Sequence, residues 1–445
     1  MNQGIAGKQA KPKPGITAPT SLKQLLEIMR PFSQYPTPIR PMGANSTSTQ
    51  CNSAVGGTVV DMTSLNKITD ITERTVTAEA GVTLRELTDF LAERGYEIAG
   101  SIDLVNRTVG GAVASGSFGP SHDGETAFIG SQAIAMKVVT AEGKLMEVTE
   151  ARESLMNMFR ISMGALGIVY DVTFKIRPAE NFVLKQTKMD ITTFSRAATA
   201  LANQRIGLKF FFLPFKGRIY TELRRAQDVE KPVRELPWRL KDWGETTVLP
   251  AICGKLGRIV PIASLRYSLV DGLNDLGQSM FTNTLTECGN NAVQFRNQAN
   301  GKSEGPPLEY TSWCFPINEI GMLLTAYQTF ARDYYRDNKF RCDMPVVGFR
   351  LPMDRSALLS PSFDQPMIAL RVVSNPHPLW EDFVMDFAEF AQRWGGVPLL
   401  NQSRCAEQAY TSGVFGTRLD FFKKMRRQMD PDGRMLNPFL AQYLR

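Results

Sequence analysis

The sequence predicts an α+β protein built as more than one domain, and three observations predict it. Up to about Ala179, short β-branched strands alternate with a few helices; beyond it the strands lengthen and longer helices separate them. At 445 residues the chain exceeds what one simple core serves, so two or three domains are expected. With 43% hydrophobic and 21% charged residues, the composition is that of an ordinary soluble globular chain.

The first seventeen residues, "MNQGIAGKQAKPKPGIT", carry lysine and proline without an apolar run and read as a disordered tail, not a signal peptide. "SLKQLLEIMRPF" spaces its apolar residues as a helix does and stops at Pro31. "IRPMGANSTS", Ile39 to Ser48, reads as a tight small-residue loop, because Pro41 and Gly43 argue against a strand interior. "GGTVVDMTSLNKITDIT" and "TVTAEAGVT" alternate as half-buried strands. Thr83 is placed to cap the helix "LRELTDFLAERG", which closes on Gly95. "AIAMKVVTAEGKLMEVT" predicts a hairpin turning at Glu142-Gly143, and "ALGIVYDVTFKIRP" a strand ended by Pro178.

After Ala179, "FFFLPF", "GRIYTELRR", "PLEYTSWCFPI", "MPVVGFRLP" and "PMIALRVV" predict sheet strands. The helices "EIGMLLTAYQTFARDYYRD" and "LWEDFVMDFAEFAQRWG" separate them. "VLPAICGKLGRIVPIASLRYSL" predicts a buried or domain-packing helix pair, with attachment to a membrane surface as the lesser alternative. "RLDFFKKMRRQM" is a basic amphipathic helix before an Asp-Pro-Asp-Gly turn. No apolar run approaches a bilayer span.

Net charge is +7 with pI near 9.0, which admits an anionic ligand. The basic residues are spread without a dense run or an aromatic-basic repeat, so no nucleic-acid partner is expected. Six cysteines lie far apart with no C-x-x-C pair, and the two histidines are His122 and His377. No metal site is expected, and the thiols read as buried ones in a reducing compartment, the cytoplasm.

Three loops carry the chemistry: Arg40 to Ser48, Thr108 to Glu125 ("TVGGAVASGSFGPSHDGE") and Ser162 to Val172 ("SMGALGIVYDV"). None is a G-x-G-x-x-G turn opening a helix, and none is a phosphate-binding G-x-x-x-x-G-K-[ST] loop. Loops without side-chain bulk expose successive backbone N–H groups, which form concave sites for a pyrophosphate, and Ser and Thr hydroxyls add neutral donors. One such loop alone is more simply a set of turns; three in order point to a cofactor.

In order and wording the loops resemble flavoproteins of the vanillyl-alcohol oxidase superfamily with a PCMH-type FAD-binding domain. The branch is that of the sugar-1,4-lactone (D-arabinono-1,4-lactone) and alditol oxidases. That family's Arg-x-x-Gly-x-His-Ser loop is matched by Arg40, Gly43, Asn45 and Ser46; "TVGGAVASGSFG" and "GALGIVYDV" match its second and third signatures. The likeness continues into "EYTSWCFP", "FRLPMDRSALLSPSF" and "DPDGRMLNPFL". It implies a tail (1–17), an FAD-binding domain of two α+β subdomains (18–178), an antiparallel-sheet cap over the substrate (179–404) and a C-terminal return (405–445). The FAD contacts it implies fall on Arg40, Met42, Gly43, Ala44, Asn45, Ser46 and Thr47 in the first loop. In the second they fall on Thr108, Gly110, Gly111, Ser115, Gly116, Ser117, Gly119 and His122, and in the third on Gly164, Gly167 and Ile168.

The departures matter as much. Where many relatives present a histidine bonded to the flavin, this chain has Asn45, whose amide cannot form that link, so FAD is expected to be non-covalent. Phe118 stands where relatives often keep histidine, and Ser117 beside it is placed to influence oxygen access. The family's Glu-x-Arg on a cap strand becomes Gly348 and Arg350, and its His-Trp-Gly-Lys-like segment becomes "GGVPLLNQS", with Leu399 and Gln402 in the exchanged positions. Arg350, Glu309 and Gln402 are the catalytic candidates this implies; Tyr310, His122 and Asp123 are further acids and bases within reach by resemblance. Leu399 and Leu400 suggest a less polar substrate. The expected partners are a small organic substrate carrying a CH–OH group and oxygen or another electron acceptor. A sugar lactone handled by altered residues, or an FAD-fold scaffold without turnover, are the alternatives.

Overall fold

The computed structural model describes residues 15–101, 103, 106–201, 204–227, 233–282, 288–297 and 308–445. Residues 1–14 of the expected tail lie outside them, whereas Gly15–Thr17 is ordered as a strand. The class is α+β: helices pack on sheets of mainly antiparallel strands.

The described residues of the first half hold two larger sheets and a two-stranded pairing of Tyr96–Glu97 with Arg177–Pro178. A three-stranded parallel sheet runs in the order Gly15–Thr17, Thr58–Asp61, Ile39–Met42. Ile39–Met42 corrects the reading of that stretch as loop alone. Pro41 is tolerated because the strand lies at a sheet edge and pairs on one side only. The second sheet has five antiparallel strands: Ile68–Ile71, Thr75–Glu79, Ile168–Lys175, Ala133–Val139 and Leu145–Thr149. Its outer hairpin turns at Gly143, whose φ of 73° is the left-handed conformation glycine adopts freely.

Two helices follow their sequence signals closely. Ser21 caps Leu22–Met29 through its side chain, which accepts from the Gln24 N–H. Thr83 and Glu86 close a reciprocal capping box on Leu84–Ala92, and Leu84, Leu87 and Leu91 face the core.

The second half is organised by one eight-stranded antiparallel sheet. Its order is Cys288–Gly289, Phe182–Asp190, Arg218–Ala226, Gly207–Leu213, Val346–Leu351, Met367–Ser374, Glu309–Pro316 and Val397–Pro398. Helices cover one face. Phe210 meets Phe194 of helix Ile191–Leu201 at 4.7 Å, and Phe212 meets Tyr327 of helix Ile320–Asn338 at 6.4 Å. The other face is covered in part by helices Glu235–Trp243 and Ala263–Thr282, through Lys241 to Glu222 and Asp275 to Tyr220, and in part meets the first half of the chain, through Arg371 to Asp103 and Tyr310 to Ser46.

The expected helix pair forms as Leu249–Ile259 and Ala263–Thr282. Only one side of it is buried, through Cys253, Tyr267 and Val270, while Ile252, Ile259, Ile262, Leu265, Leu269, Leu276 and Met280 are exposed. No helix of the described residues is long and apolar enough to cross a membrane. All six cysteines are free; Cys51, Cys253 and Cys314 are buried, but Cys405 is exposed. Replacing Thr83 by Ala removes a cap hydrogen bond and is expected to lower stability by about 1 kcal/mol, with Thr83→Ser close to neutral. Thermal denaturation of the two variants checks it.

Candidate functional site

The three small-residue loops converge on one cleft. Arg40, Met42, Gly43, Ala44, Asn45, Ser46, Thr47, Thr108, Gly110, Gly111, Ser115, Gly164 and Gly167 all line it. Gly43 shows why small residues are needed: a Cβ there would run into the Thr108 side chain, so the first and second loops touch only because glycine leaves room. At Gly110 a Cβ would lie 2.7 Å from that of Ala80.

Arg40 fixes the arrangement. Its guanidinium is 1% exposed and donates from Nε to the Cys51 carbonyl at 3.0 Å and from Nη1 to those of Gly164 (3.0 Å) and Met435 (2.6 Å); Nη2 donates to Met163 O. Burial lowers its pKa to about 10, with the thiol of Cys51 and the carboxylate of Asp430 working against that, so it stays charged at neutral pH. The first loop, the third loop and the C-terminal segment therefore meet on one side chain. Asp430 secures the C-terminal segment in turn by accepting from the Arg434 and Met435 N–H groups at 2.8 and 2.9 Å.

Other members of the expected set are placed elsewhere. Gly116, Ser117, Gly119 and Ile168 do not line the cleft. Ser117 lies behind it and accepts from Arg107, and Ile168 pairs with Val139 inside the five-stranded sheet. His122 is fully buried away from the cleft, stacked on Phe182 at 5.3 Å with Nε2 3.2 Å from Arg177 Nη2. Glu97 and Glu180 approach the same imidazole. However, Arg177 already pairs with both, at 2.9 and 3.1 Å, so this is an ion-pair cluster closed by a guanidinium. Asp123 accepts from Ser121 and Thr126 hydroxyls and holds its own turn.

The hydroxyls of the first loop also depart from expectation. Thr47 Oγ1 donates to the Asn401 carbonyl (2.7 Å), Ser48 Oγ to Gln402 O (2.9 Å) and Thr49 Oγ1 to Leu400 O (2.8 Å). They clamp the segment after strand Val397–Pro398 against the cleft. Asn45, exposed at φ 52°, accepts from Asn52 Nδ2 at 2.8 Å.

On the large sheet, register decides which residues reach the cleft side. Partners across an antiparallel ladder share a face, and successive residues alternate. Phe210 pairs with Gly348, Gly348 with Leu370 and Leu370 with Trp313, all on the helix-covered face. Arg350 and Glu309 have the same parity, so neither catalytic candidate points to the cleft side. Arg350 Nη1 donates to the carbonyls of Gly124 (2.9 Å) and Ile206 (3.2 Å). Glu309 is pushed up mainly by burial, with the His377 N–H and Arg404 working against it. The Phe210 ring occupies the space a side chain at position 348 would need.

The opposite parity brings Tyr310, Ser312, Arg371, Phe349 and Lys209 to the cleft side. Arg371 is 8% exposed and lies against the rings of Tyr310 (5.2 Å), Phe349 (5.4 Å) and Phe118 (5.9 Å). It is ion-paired to Asp103 through Nη1, donates from Nε to Ser312 Oγ at 3.2 Å and from Nη2 to Gln402 Oε1 at 3.4 Å. Gln402 is thus the catalytic candidate that sits in this group. From the first domain, Arg107 lines the cleft and donates to Ser117 Oγ (2.8 Å) and Ser46 Oγ (3.3 Å). Tyr310 Oη donates to the Ser46 carbonyl at 2.6 Å. Burial pushes the Asp103 carboxyl up, but Arg371, Lys209 and Arg107 outweigh it and hold it below the usual value.

The suggestion of a less polar pocket from Leu399 and Leu400 does not hold. Both belong to the core, and the cleft side of the sheet carries buried cations instead. Sequence reasoning missed Arg371, Arg107 and Asp103. The available signal was an arginine inside the otherwise apolar strand "MIALRVV".

The residues present fit an FAD. The cleft is lined by glycines at the loop contacts, and two of its buried polar atoms, Arg107 Nη2 and Asn401 Oδ1, have no protein partner. Fold comparison finds solved structures that share this fold over nearly the whole chain. Cholesterol oxidase from Brevibacterium sterolicum, in a mutant form, superposes with a TM-score of 0.75 at 15% identity over 97% of this chain and 94% of that one. A xylooligosaccharide oxidase from Myceliophthora thermophila gives 0.66 at 13% identity, over 97% and 92%. Residues 14–149 match the family model of the FAD binding domain and residues 172–443 that of D-arabinono-1,4-lactone oxidase. The chain belongs to the D-arabinono-1,4-lactone oxidase family of FAD-dependent oxidoreductases. L-gulono-1,4-lactone dehydrogenase of Mycobacterium tuberculosis is 23% identical over 265 residues, 59% of this chain and 60% of that protein, so the match spans under two thirds of that relative. L-gulonolactone oxidase of Bos taurus is 25% identical over 179 residues, 39% of each.

Two outcomes are expected. Arg40→Met strands four buried carbonyls and removes about 3–5 kcal/mol of stability, seen in denaturant unfolding together with loss of bound flavin. Gly348→Glu, which restores a carboxylate to the family position, overpacks against Phe210 and lowers stability by about 1–3 kcal/mol without raising activity.

Proposed function

We propose that the protein is an FAD-dependent oxidoreductase that oxidises a CH–OH group of a small organic substrate, with the FAD held non-covalently. The observation that carries the reading is the convergence of the three loops on a single cleft, one of whose lining residues, Ser46, accepts at its carbonyl from Tyr310 of the large sheet. Among the described residues no histidine lines that cleft, which supports a cofactor that is held and not bonded.

Gly43, Ala44, Ser46, Thr108, Gly110, Gly111 and Gly164 would hold the cofactor, with Arg107 beside it. When bound, FAD supplies a hydride acceptor at N5. The chain supplies the positioning. Tyr310 brings a hydroxyl to the cleft side of the sheet, where it donates to the Ser46 carbonyl and its ring lies against Arg371. We assign it, with Gln402 and Arg371, the orientation of the substrate carbinol by hydrogen bonding. Phe118 and Phe349, in edge-to-face contact at 5.7 Å, form one apolar wall beside Arg371. Family membership favours a sugar-1,4-lactone among the substrates to test, and oxygen or another acceptor would reoxidise the flavin.

The purified protein is expected to be yellow, and acid precipitation should release flavin to the supernatant; flavin retained in the pellet would overturn the non-covalent reading. An anaerobic screen of lactones, aldonates and alcohols should find a compound that bleaches the flavin. Tyr310→Phe is expected to slow that bleaching by about 10²-fold while leaving flavin content unchanged.

A further inference from the structure

The cleft side of the cap sheet carries more positive charge than the reaction above uses. Arg107, Arg371 and Lys209 surround Asp103 from three segments. Lys209 pairs with Glu245 at 3.8 Å and also faces Glu222, carboxylates that it shares with Lys241 and Arg224. Among the described residues the group therefore holds five cations (Arg107, Lys209, Arg224, Lys241, Arg371) against three carboxylates (Asp103, Glu222, Glu245). Residues 102, 104 and 105 beside Asp103 are Ile, Leu and Val, so they add no charge.

Two donors in this group are unpartnered. Arg107 Nη2 has no hydrogen-bond partner although the residue is only 5% exposed, and Gln402 Nε2 has none at 1%. A buried donor without a partner is costly unless a ligand or water satisfies it. An uncharged alcohol or lactone offers such donors acceptors but leaves the excess charge unmatched. A carboxylate or phosphate satisfies both, and planar guanidiniums recognise either by two parallel hydrogen bonds.

We propose that Arg107, Arg371 and Gln402 form a subsite for an anionic oxygen group, a carboxylate or a phosphate, carried by the substrate next to its oxidised CH–OH. This rests on the oxidoreductase reading and narrows it: the preferred substrate is an acid or a phosphorylated alcohol, not a neutral lactone. Asp103 is the internal competitor. Its carboxylate holds Arg371 while the subsite is free, so an incoming anion shares that guanidinium. The position suits substrate better than the cofactor's own phosphates. Arg371 lies on the cap sheet between Phe118 and Phe349, away from the glycines of the three loops.

Calorimetric titration of the full-length holoprotein tests this without relying on turnover. The probes are L-gulonate and L-gulono-1,4-lactone, which share a carbon skeleton, with D-ribose 5-phosphate against D-ribose as the phosphate arm. At least one anion is expected to bind ten-fold or more tightly than its neutral counterpart, and the arm that shows the gap identifies carboxylate or phosphate. Arg371→Gln should abolish the gap while leaving FAD content unchanged. Asp103→Asn, which releases Arg371, should tighten anion binding several-fold, opposite in sign to a merely structural loss. Equal binding of acid and lactone and of phosphate and sugar, or an Asp103→Asn variant that weakens anions, would overturn the inference. So would an Arg371→Gln variant that shifts the flavin midpoint potential but keeps the anion preference. A protein that holds no FAD yet retains the anion preference would instead sink the oxidoreductase reading and leave the subsite standing.

Discussion

The guanidinium of Arg40 is the contact on which the rest of the molecule depends. It gathers backbone carbonyls from residues 51, 163, 164 and 435, which are otherwise remote in sequence. Each carbonyl ends or turns a loop, and buried loop carbonyls need donors that no ladder provides. A lysine could not replace it, because an ammonium is a compact charge and cannot span carbonyls on several sides. The consequence is geometric. Once these four points are fixed, Gly43 is pressed against Thr108 and the cleft acquires its walls before any cap residue contributes.

The second constraint is sheet parity. A strand contributes alternate residues to the cleft, and a shift of one residue exchanges the whole set. Gly348 and Arg350 go to the helices, whereas Val347 and Phe349 go to the cleft side; Glu309 goes to the helices and Tyr310 to the cleft side. A family motif aligned by composition alone cannot distinguish these two sets, since each strand contains plausible residues of both parities. The ladder register settles it, through a chain of pairs from Phe210 to Trp313.

That difference explains what was legible in the sequence. The fold class, the capped helix behind Thr83, the hairpin at Gly143 and the three loops were readable, because each depends on local signals: cap residues, a turn glycine, absence of bulk. The edge strand Ile39–Met42 was not, because tolerance of Pro41 depends on what lies beside it in space. Nor were the partners of Thr47, Ser48 and Thr49, whose acceptors come from some 350 residues further along the chain, at Asn401, Gln402 and Leu400. Arg371 stood in plain view as a charged residue within an apolar strand. Its significance came only with Asp103 and Arg107, both supplied by a stretch of chain remote from that strand.

The cationic group at the seam also joins the two halves of the chain. Arg371 belongs to the eight-stranded sheet and Asp103 to the loop before the second small-residue turn, so their ion pair crosses between those halves. Tyr310 crosses likewise to Ser46, and Ser48 to Gln402. Burying ion pairs is seldom stabilising on its own, since desolvation offsets the attraction, and an apolar seam would serve adhesion as well. What an apolar seam could not do is present fixed donors to a ligand at the same place. The polar seam is therefore better explained by the cleft it borders than by adhesion, and its unpartnered donors are where local consistency yields to binding.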